Sequence, residues 1–180
     1  MGSVLHCAAA LLKAMRVAPA ALPSPERASN ALGAWSVTLI HARPQKLALA
    51  VCHASRHGFV FPAAPLATLP ERFGPALFGL LVMLGAPVDA ARREVDAMQP
   101  LALAPTADRG VRAHMGQYAD DVRWRLAGGA GLAECNLFLA GNLVLRPAVF
   151  HVGEQTFTLL GLDPAPVRRL TRVRVGLSPD

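Results

Sequence analysis

Aromatic and lysine side chains are scarce in this sequence of 180 residues. Aromatic residues make up 6% of the chain and charged residues 17%, and only two of the 18 basic residues are lysines. So few aromatic side chains leave little for stacking bases on a sheet surface. Hydrophobic residues, in contrast, make up 53% of the chain. That content excludes disorder for most of its length and predicts a sizeable core.

Long apolar runs and regularly spaced cysteines are also missing. No run reaches the roughly 18 to 20 uncharged residues that a membrane span needs, and the N-terminal segment lacks the features of a secretory signal. We therefore expect a cytoplasmic protein with no membrane partner. The three cysteines are widely spaced, which argues against a disulfide framework. Phosphate-binding glycine motifs and a nucleophile elbow are absent, and we expect no cofactor.

The apolar pattern predicts a single α+β domain, in which an antiparallel meander sheet packs against four or five helices. Alternating or continuous apolar residues predict strands, and spacings of three and four residues predict helices. The predicted strands are residues 4–7, 35–42, 46–53, 58–62 and 101–104, the last of which is expected to close the antiparallel sheet. The main predicted helices are residues 70–84, 88–98, 109–127 and 132–143.

The predicted domain spans residues 1–145, and residues 146–180 form a C-terminal extension that packs on it or follows it. In the extension, VFHV and TFTLL read as two strands of a β-hairpin that turns around Gly153 and Glu154. A basic end follows, and it predicts either weak nucleic-acid binding or a strand with a basic edge. Its arginines are Arg168, Arg169, Arg172 and Arg174.

The segment AVCHASRHGFVFP places two histidines and a cysteine between two predicted strands. Cys52 and His53 are adjacent, so on a strand they point to opposite faces and cannot share a metal ion without a bulge. Only His53 and His57 can meet across the turn, and no further donor lies at a recognisable ligand spacing. We therefore expect no metal site here, but solvated loop histidines beside a half-buried cysteine.

A polar cluster opens the longest predicted helix. Thr106 or Asp108 is a natural N-cap, and the free N–H groups of a helix start favour an anion. Arg109 and Arg112 can add bidentate contacts to a phosphate or carboxylate. The alternative is that Asp108 only caps the helix and Arg109 pairs with a neighbouring carboxylate. His114 lies about one and a half turns beyond Arg109 and can border the same cleft.

Several of these segments, in this order, resemble an uncharacterised family of small bacterial proteins that is described only as a domain of unknown function. The resemblance spans about residues 4–144 and implies an α+β domain, with no assigned activity. It rests on His6-Cys7 with Leu11-Leu12-Lys13, on Leu32-Gly33 with Trp35, and on Thr106, Asp108, Arg109, Val111 and Met115. The chain departs from the family pattern at Gly110, Ala113 and Gly116-Gln117, the last of which stands in place of an Asn-Asp pair.

These observations favour a non-catalytic binding or regulatory module. Its partner is undetermined, with a protein or a nucleic acid as the open classes, and so is its oligomeric state. One alternative is a small hydrolase or transferase that uses Arg109, His114 and Asp108 around an anion site at the helix start. The other is weak nucleic-acid binding through the basic tail, since the net charge is +6.

Overall fold

The computed structural model describes residues 3–17, 30–42, 45–106, 108–145 and 149–172, which contain seven strands and seven helices. The strands are β1 (Ser3–Cys7), β2 (Trp35–Ala42), β3 (Gln45–Cys52), β4 (Gly58–Pro62), β5 (Leu101–Pro105), β6 (Leu143–Val144) and β7 (Phe150–His151). The helices are α1 (Ala9–Met15), α2 (Leu69–Met83), α3 (Val88–Ala97), α4 (Arg109–Ala127), α5 (Leu132–Ala140), α6 (Val152–Leu159) and α7 (Ala165–Arg172). The α+β class is confirmed, and the described residues hold more helices than the four or five expected.

Five strands form one mixed sheet in the order β4-β3-β2-β1-β5. The antiparallel meander of β2, β3 and β4 is confirmed, with Trp35 opposite Cys52 and Leu49 opposite Val60. β1, however, lies between β2 and β5 and runs parallel to both. The prediction that residues 101–104 close an antiparallel sheet is therefore wrong. A crossover of more than a dozen residues separates each of these strand pairs along the chain, which is what a parallel connection requires.

One face of the sheet packs against α1 and α2 around a cluster of aromatic rings. The Trp35 ring centroid lies 5.5 Å from that of Phe59 and 5.7 Å from that of Phe73 on α2. Residues Leu66–Met83 are the one stretch of the described chain whose length and composition would allow a membrane span. Its residues Phe73, Leu77 and Leu81 are buried in this cluster, so one side of the helix packs on the sheet.

The other face of the sheet packs against α4 and α5. The helix predicted over residues 109–127 is confirmed as α4, and its residues Val111, Met115, Tyr118 and Val122 are all buried against this face. His6 pairs with Ser36 across β1 and β2, and Ser36 pairs with Val51 of β3. Residues paired directly across strands share a face, so His6 and Ser36 lie on the side that α4 covers.

A buried carboxylate on α3 holds the segment that leads into β2. Glu94 is 4% exposed, and it accepts hydrogen bonds from the Asn30 side chain at 2.6 Å, from the Ala31 N–H at 3.0 Å and from the Leu32 N–H at 2.9 Å. Three N–H donors on one carboxylate compensate for its burial. This contact fixes where the chain enters β2.

The free edge of β4 is closed by side chains. Val60 donates its N–H to Asn136 Oδ1 at 2.7 Å and accepts from Asn136 Nδ2 at 3.0 Å. Two residues further on, the carbonyl of Pro62 accepts a hydrogen bond from the Arg72 guanidinium at 2.7 Å. Proline has no N–H, so no donor is left unpaired at this position. The outward polar groups of Val60 and Pro62 are therefore satisfied without another strand.

The prediction of a β-hairpin in the C-terminal extension is wrong. In the described part of the extension, Phe150–His151 is the one extended stretch, and it pairs with Leu143–Val144, whereas residues 152–159 form α6. The glycine expected to make the turn has another function: a Cβ on Gly153 would lie 2.7 Å from the Ala140 carbonyl oxygen, so glycine permits close contact between α6 and α5. Phe157 and Val167 are buried in the core, so the described part of the extension packs on the domain.

We predict that Glu94→Ala lowers the free energy of unfolding by about 3 kcal/mol, because it leaves the N–H groups of residues 30–32 without an acceptor in a buried position. Urea unfolding monitored by circular dichroism measures the change. The control is Asp89→Ala, an exposed acidic residue on the same helix, which we expect to stay within about 0.5 kcal/mol of the wild type. Equal effects of the two substitutions would contradict the role given to Glu94.

Candidate functional site

The start of α4 is capped by its own chain. Asp108 accepts a hydrogen bond from the Val111 N–H at 2.9 Å, so the capping alternative for this residue is confirmed. That hydrogen bond and the nearby Arg56 charge lower the pKa of Asp108. Arg56, not Arg109, is the cation beside it, with 3.8 Å between Nη1 and Oδ2. Part of the positive end of the helix is therefore already occupied by a carboxylate.

The loop between β3 and β4 is fixed against α4. Arg56 adopts a left-handed conformation with φ of 58°, which is unfavourable for a residue with a Cβ and needs support from its surroundings. The support is a hydrogen bond from the Tyr118 hydroxyl to the Arg56 carbonyl at 3.0 Å. This hydrogen bond holds the Tyr118 hydroxyl in a buried position, and burial raises the pKa of Tyr118 to about 12.

Two histidines stack next to this loop. The rings of His6 and His53 lie 4.9 Å apart, and His6 Nδ1 lies 3.1 Å from the Pro105 carbonyl oxygen. His53 Nε2 lies 2.8 Å from Ser36 Oγ. Burial and the His6 charge lower the pKa of His53 to about 4. Ser36 is 0% exposed, so a substrate does not reach its hydroxyl, and this serine–histidine pair is a structural contact.

The expectation of solvated loop histidines is wrong for His57. This residue is fully buried, and His57 Nδ1 lies 3.0 Å from Thr156 Oγ1 of α6. Thr156 in turn lies 3.0 Å from Ser55 Oγ. The half-buried cysteine of the prediction, Cys52, is also fully buried. The sequence did not reveal this because α6, from the other end of the chain, covers the loop.

The structure does not bring all five residues that were predicted to bind an anion to one site. Thr106 donates its backbone N–H to the Cys7 carbonyl at 3.1 Å, and its hydroxyl is buried with no hydrogen-bond partner among the described residues. Arg109 and Arg112 are exposed. His114 packs its ring 5.8 Å from the Tyr118 ring, and burial lowers its pKa. Of the five, Thr106 and Arg112 line one groove.

This groove, which we call the α4 groove, has a volume of about 460 Å³ and lies between α4, β2 and the start of α1. The Arg112 side chain makes no ion pair or hydrogen bond with any residue that the structure describes, whereas Arg123 is paired with Asp120 at 2.8 Å. The other walls of the groove were not predicted from the sequence, although a glycine at position 116, inside a helix, was a signal of a special position. The lining residues are Ala8, Ala9, Thr38, Leu39, Ile40, Thr106, Arg112, Met115, Gly116, Ala119, Asp120 and Arg123.

The basic tail forms a helix where it is described. Arg168 pairs with Glu154 of α6 at 2.6 Å, and Arg169 and Arg172 are exposed on α7. The strand with a basic edge was expected over residues 170–176; it is wrong for residues 170–172, which are helical, and residues 173–176 lie outside the described residues. Arg174, the fourth arginine of the predicted nucleic-acid set, lies outside the described residues.

The fold and the groove define an α+β domain with a small cleft beside its longest helix. The chain belongs to the family described as a domain of unknown function, DUF6933, whose model matches residues 4–143. This confirms the resemblance inferred from the sequence. No curated protein and no solved structure matches the chain. α6 and α7 lie beyond the matched residues.

We predict that acid destabilises the fold between pH 6.5 and pH 4. Burial lowers the pKa of His57 from 6.5 to about 4 in the folded state, so over this range the unfolded chain takes up a proton that the folded chain does not. His57 alone therefore lowers the free energy of unfolding by roughly 3 kcal/mol as the pH falls through this range, and His53, whose pKa is also lowered to about 4, adds to the loss. Urea unfolding across this range measures it.

The comparison that isolates His57 is between two variants. His57→Gln removes one of two titrating groups and should roughly halve the loss of stability, because the pKa of His53 is also lowered to about 4. His41→Gln, at an exposed position on β2, should leave the dependence on pH unchanged. A dependence as steep in His57→Gln as in the wild type would show that other groups cause the acid sensitivity.

Proposed function

We propose that this protein is a non-catalytic cytoplasmic binding module that takes a small anionic molecule into the α4 groove. The observation that carries the proposal is Arg112, a guanidinium that lines a cleft of ligand size without a partner among the described residues. Clefts of roughly 300 to 1,000 Å³ suit small molecules. An arginine presents a planar fork that matches a carboxylate or phosphate.

The other walls of the groove support a ligand with a polar end and an apolar body. Thr38 and Thr106 supply hydroxyl groups, and the Thr106 hydroxyl lacks a partner within the described chain. Ile40 and Met115 supply apolar surface. We therefore propose a phosphate or carboxylate group at Arg112 and an apolar group against Ile40 and Met115.

The chemistry of the groove favours binding over catalysis. Its titratable side chains are Arg112, Asp120 and Arg123, and the last two form an ion pair with each other. Among the described lining residues there is no histidine, cysteine or lysine, the groups that most often act as bases or nucleophiles. The hydrolase or transferase alternative needs Arg109 and His114, which do not line this groove, and it stays a prediction.

The family segment that opens α4 also supports this site. Thr106 and Met115, two residues of the resemblance, line the groove, and so does Gly116, where the chain departs from the family pattern. A Cβ at Gly116 would meet nothing within 4 Å. Glycine at this position therefore enlarges the groove instead of relieving a clash.

We predict that Gly116→Leu abolishes binding of phenyl phosphate or phenylacetate while leaving the fold intact. A leucine side chain would fill the groove, and replacing glycine inside a helix stabilises it by about 0.5 to 1 kcal/mol. Isothermal titration calorimetry measures binding, and thermal unfolding measures stability. Gly79→Leu is the matched control, because Gly79 is an exposed glycine in α2 with nothing within 4 Å of a Cβ.

Arg112→Gln tests the charge. We expect it to weaken binding of the same two compounds roughly tenfold to a hundredfold, because it removes a charge-assisted hydrogen bond. If neither compound binds the wild type, or if binding survives Gly116→Leu, the α4 groove is not the binding site.

Nucleic-acid binding is a second candidate, supported by α7. Arg169 and Arg172 are exposed and three positions apart, so they lie on one face of the helix. In a salt titration of single-stranded RNA binding by fluorescence anisotropy, replacing both by alanine should reduce the slope of log K against log salt by about 1.4. Replacing Arg92 and Arg93, also exposed, by alanine is the control. Equal slopes in the wild type and in both double variants would reject this candidate.

A further inference from the structure

A second cavity lies near the C-terminal end of α4, where that helix meets α5 and α7. Its volume is about 540 Å³, and it shares no lining residue with the α4 groove. One wall comes from Thr171 of α7, beyond the residues that the family model matches. The lining residues are Arg125, Glu134, Leu137, Phe138, Gly141, Asn142 and Thr171.

Arg125 is held in this cavity by an aromatic ring. Its guanidinium carbon lies 3.5 Å from the centroid of the Phe138 ring, a cation–π contact. Arg125 Nε is buried and has no hydrogen-bond acceptor among the described residues. The stacking fixes the plane of the guanidinium, so its Nε–H and the neighbouring N–H form a fork of fixed orientation.

Asn142 supplies a second donor. Its side-chain nitrogen is buried. It lies close enough to the Tyr118 hydroxyl to donate to it: burial raises the pKa of Tyr118, and this contact with Asn142 lowers it by a smaller amount. An amide nitrogen carries two N–H groups, so at least one remains for another acceptor.

The Arg125 Nε–H and the remaining Asn142 N–H group, both buried at this cavity, need an acceptor. Buried N–H groups in folded proteins almost always have a partner, in the protein, in water or in a ligand. Leu137 and Phe138 give the same cavity an apolar wall. The cavity therefore combines hydrogen-bond donors with surface for an apolar group, as small-molecule sites do.

We propose that this cavity binds a small apolar molecule through one carbonyl-type oxygen, that of a carboxylate or an amide, which accepts from Arg125 and Asn142. Glu134 lines the same cavity, where its carboxylate accepts from the Gly131 N–H at 2.9 Å. Since this carboxylate opposes the charge of Arg125, the cavity favours a neutral or singly charged acceptor over a phosphate dianion.

The site depends on the C-terminal segment as well as on the family domain. Thr171 donates its hydroxyl to the Val167 carbonyl at 3.0 Å, so its side chain is held at the wall. Its Cβ would lie 3.4 Å from a Cβ built on Gly141. α7 therefore shapes a cavity that residues 4–143 alone do not enclose.

The test is a titration of the full chain, labelled with ¹⁵N, with benzamide, with benzoate and with inorganic phosphate. We expect saturable shifts of the Asn142 side-chain amide and Arg125 Nε–H resonances with benzamide or benzoate, and none with phosphate. The two aromatic compounds distinguish a neutral from a charged acceptor. These resonances report on the cavity, so the result does not depend on whether the α4 groove binds anything.

Two arginine variants complete the test. Arg125→Gln should abolish the shift of the Asn142 amide, while Arg92→Gln should leave it unchanged, because Arg92 also lies over a phenylalanine ring, that of Phe78, but at another surface. Arg125→Lys keeps the charge without the fork and should weaken binding. No saturable shift in the wild type, a shift with phosphate alone, or an undiminished shift in Arg125→Gln would each overturn the proposal.

Discussion

The parallel pairing of β1 with both of its neighbours is the constraint on which the rest of the structure depends. β1 pairs with β2 from Leu5 to Cys7 and with β5 from Ser3 to Cys7. Because β1 and β5 run in the same direction, their C-terminal ends lie at the same end of the sheet, and the chain leaves both strands there. Ala8 and Thr106, which follow these strands, are thereby brought together, and α1 and α4 start beside the same cleft.

The parts of the fold that the sequence predicted are those whose cause is local. The alternation of residues 35–42 and the spacing of Val111, Met115 and Tyr118 each reflect one buried face, and both elements are found. The direction of β5 was missed because its partner lies about a hundred residues away along the chain. α6 was missed because its β-branched and aromatic residues suit a strand equally well, and the contacts that accompany the helix come from distant parts of the chain, such as the close approach of Gly153 to α5.

The candidate site was predictable to a similar extent. Thr106, Asp108 and Arg112 stood out because a helix start has recognisable chemistry, and the cap is where it was expected. The groove around Arg112 was not visible in the sequence, since Thr38 and Gly116 join it only through the packing of α4 on β2. His57 was misread for the same reason. Its loop looks exposed until Thr156, from another helix, is placed against it.

The pairing of Asn136 with the edge of β4 has a consequence for how copies of this protein behave when crowded. An open sheet edge is a template on which strands of other molecules can assemble. Here one amide side chain imitates the hydrogen bonding of a neighbouring strand, and Arg72 and Pro62 close the end of the same edge. At this side the sheet therefore stops at five strands, and an apolar strand such as GFVFP is kept from seeding intermolecular β-structure.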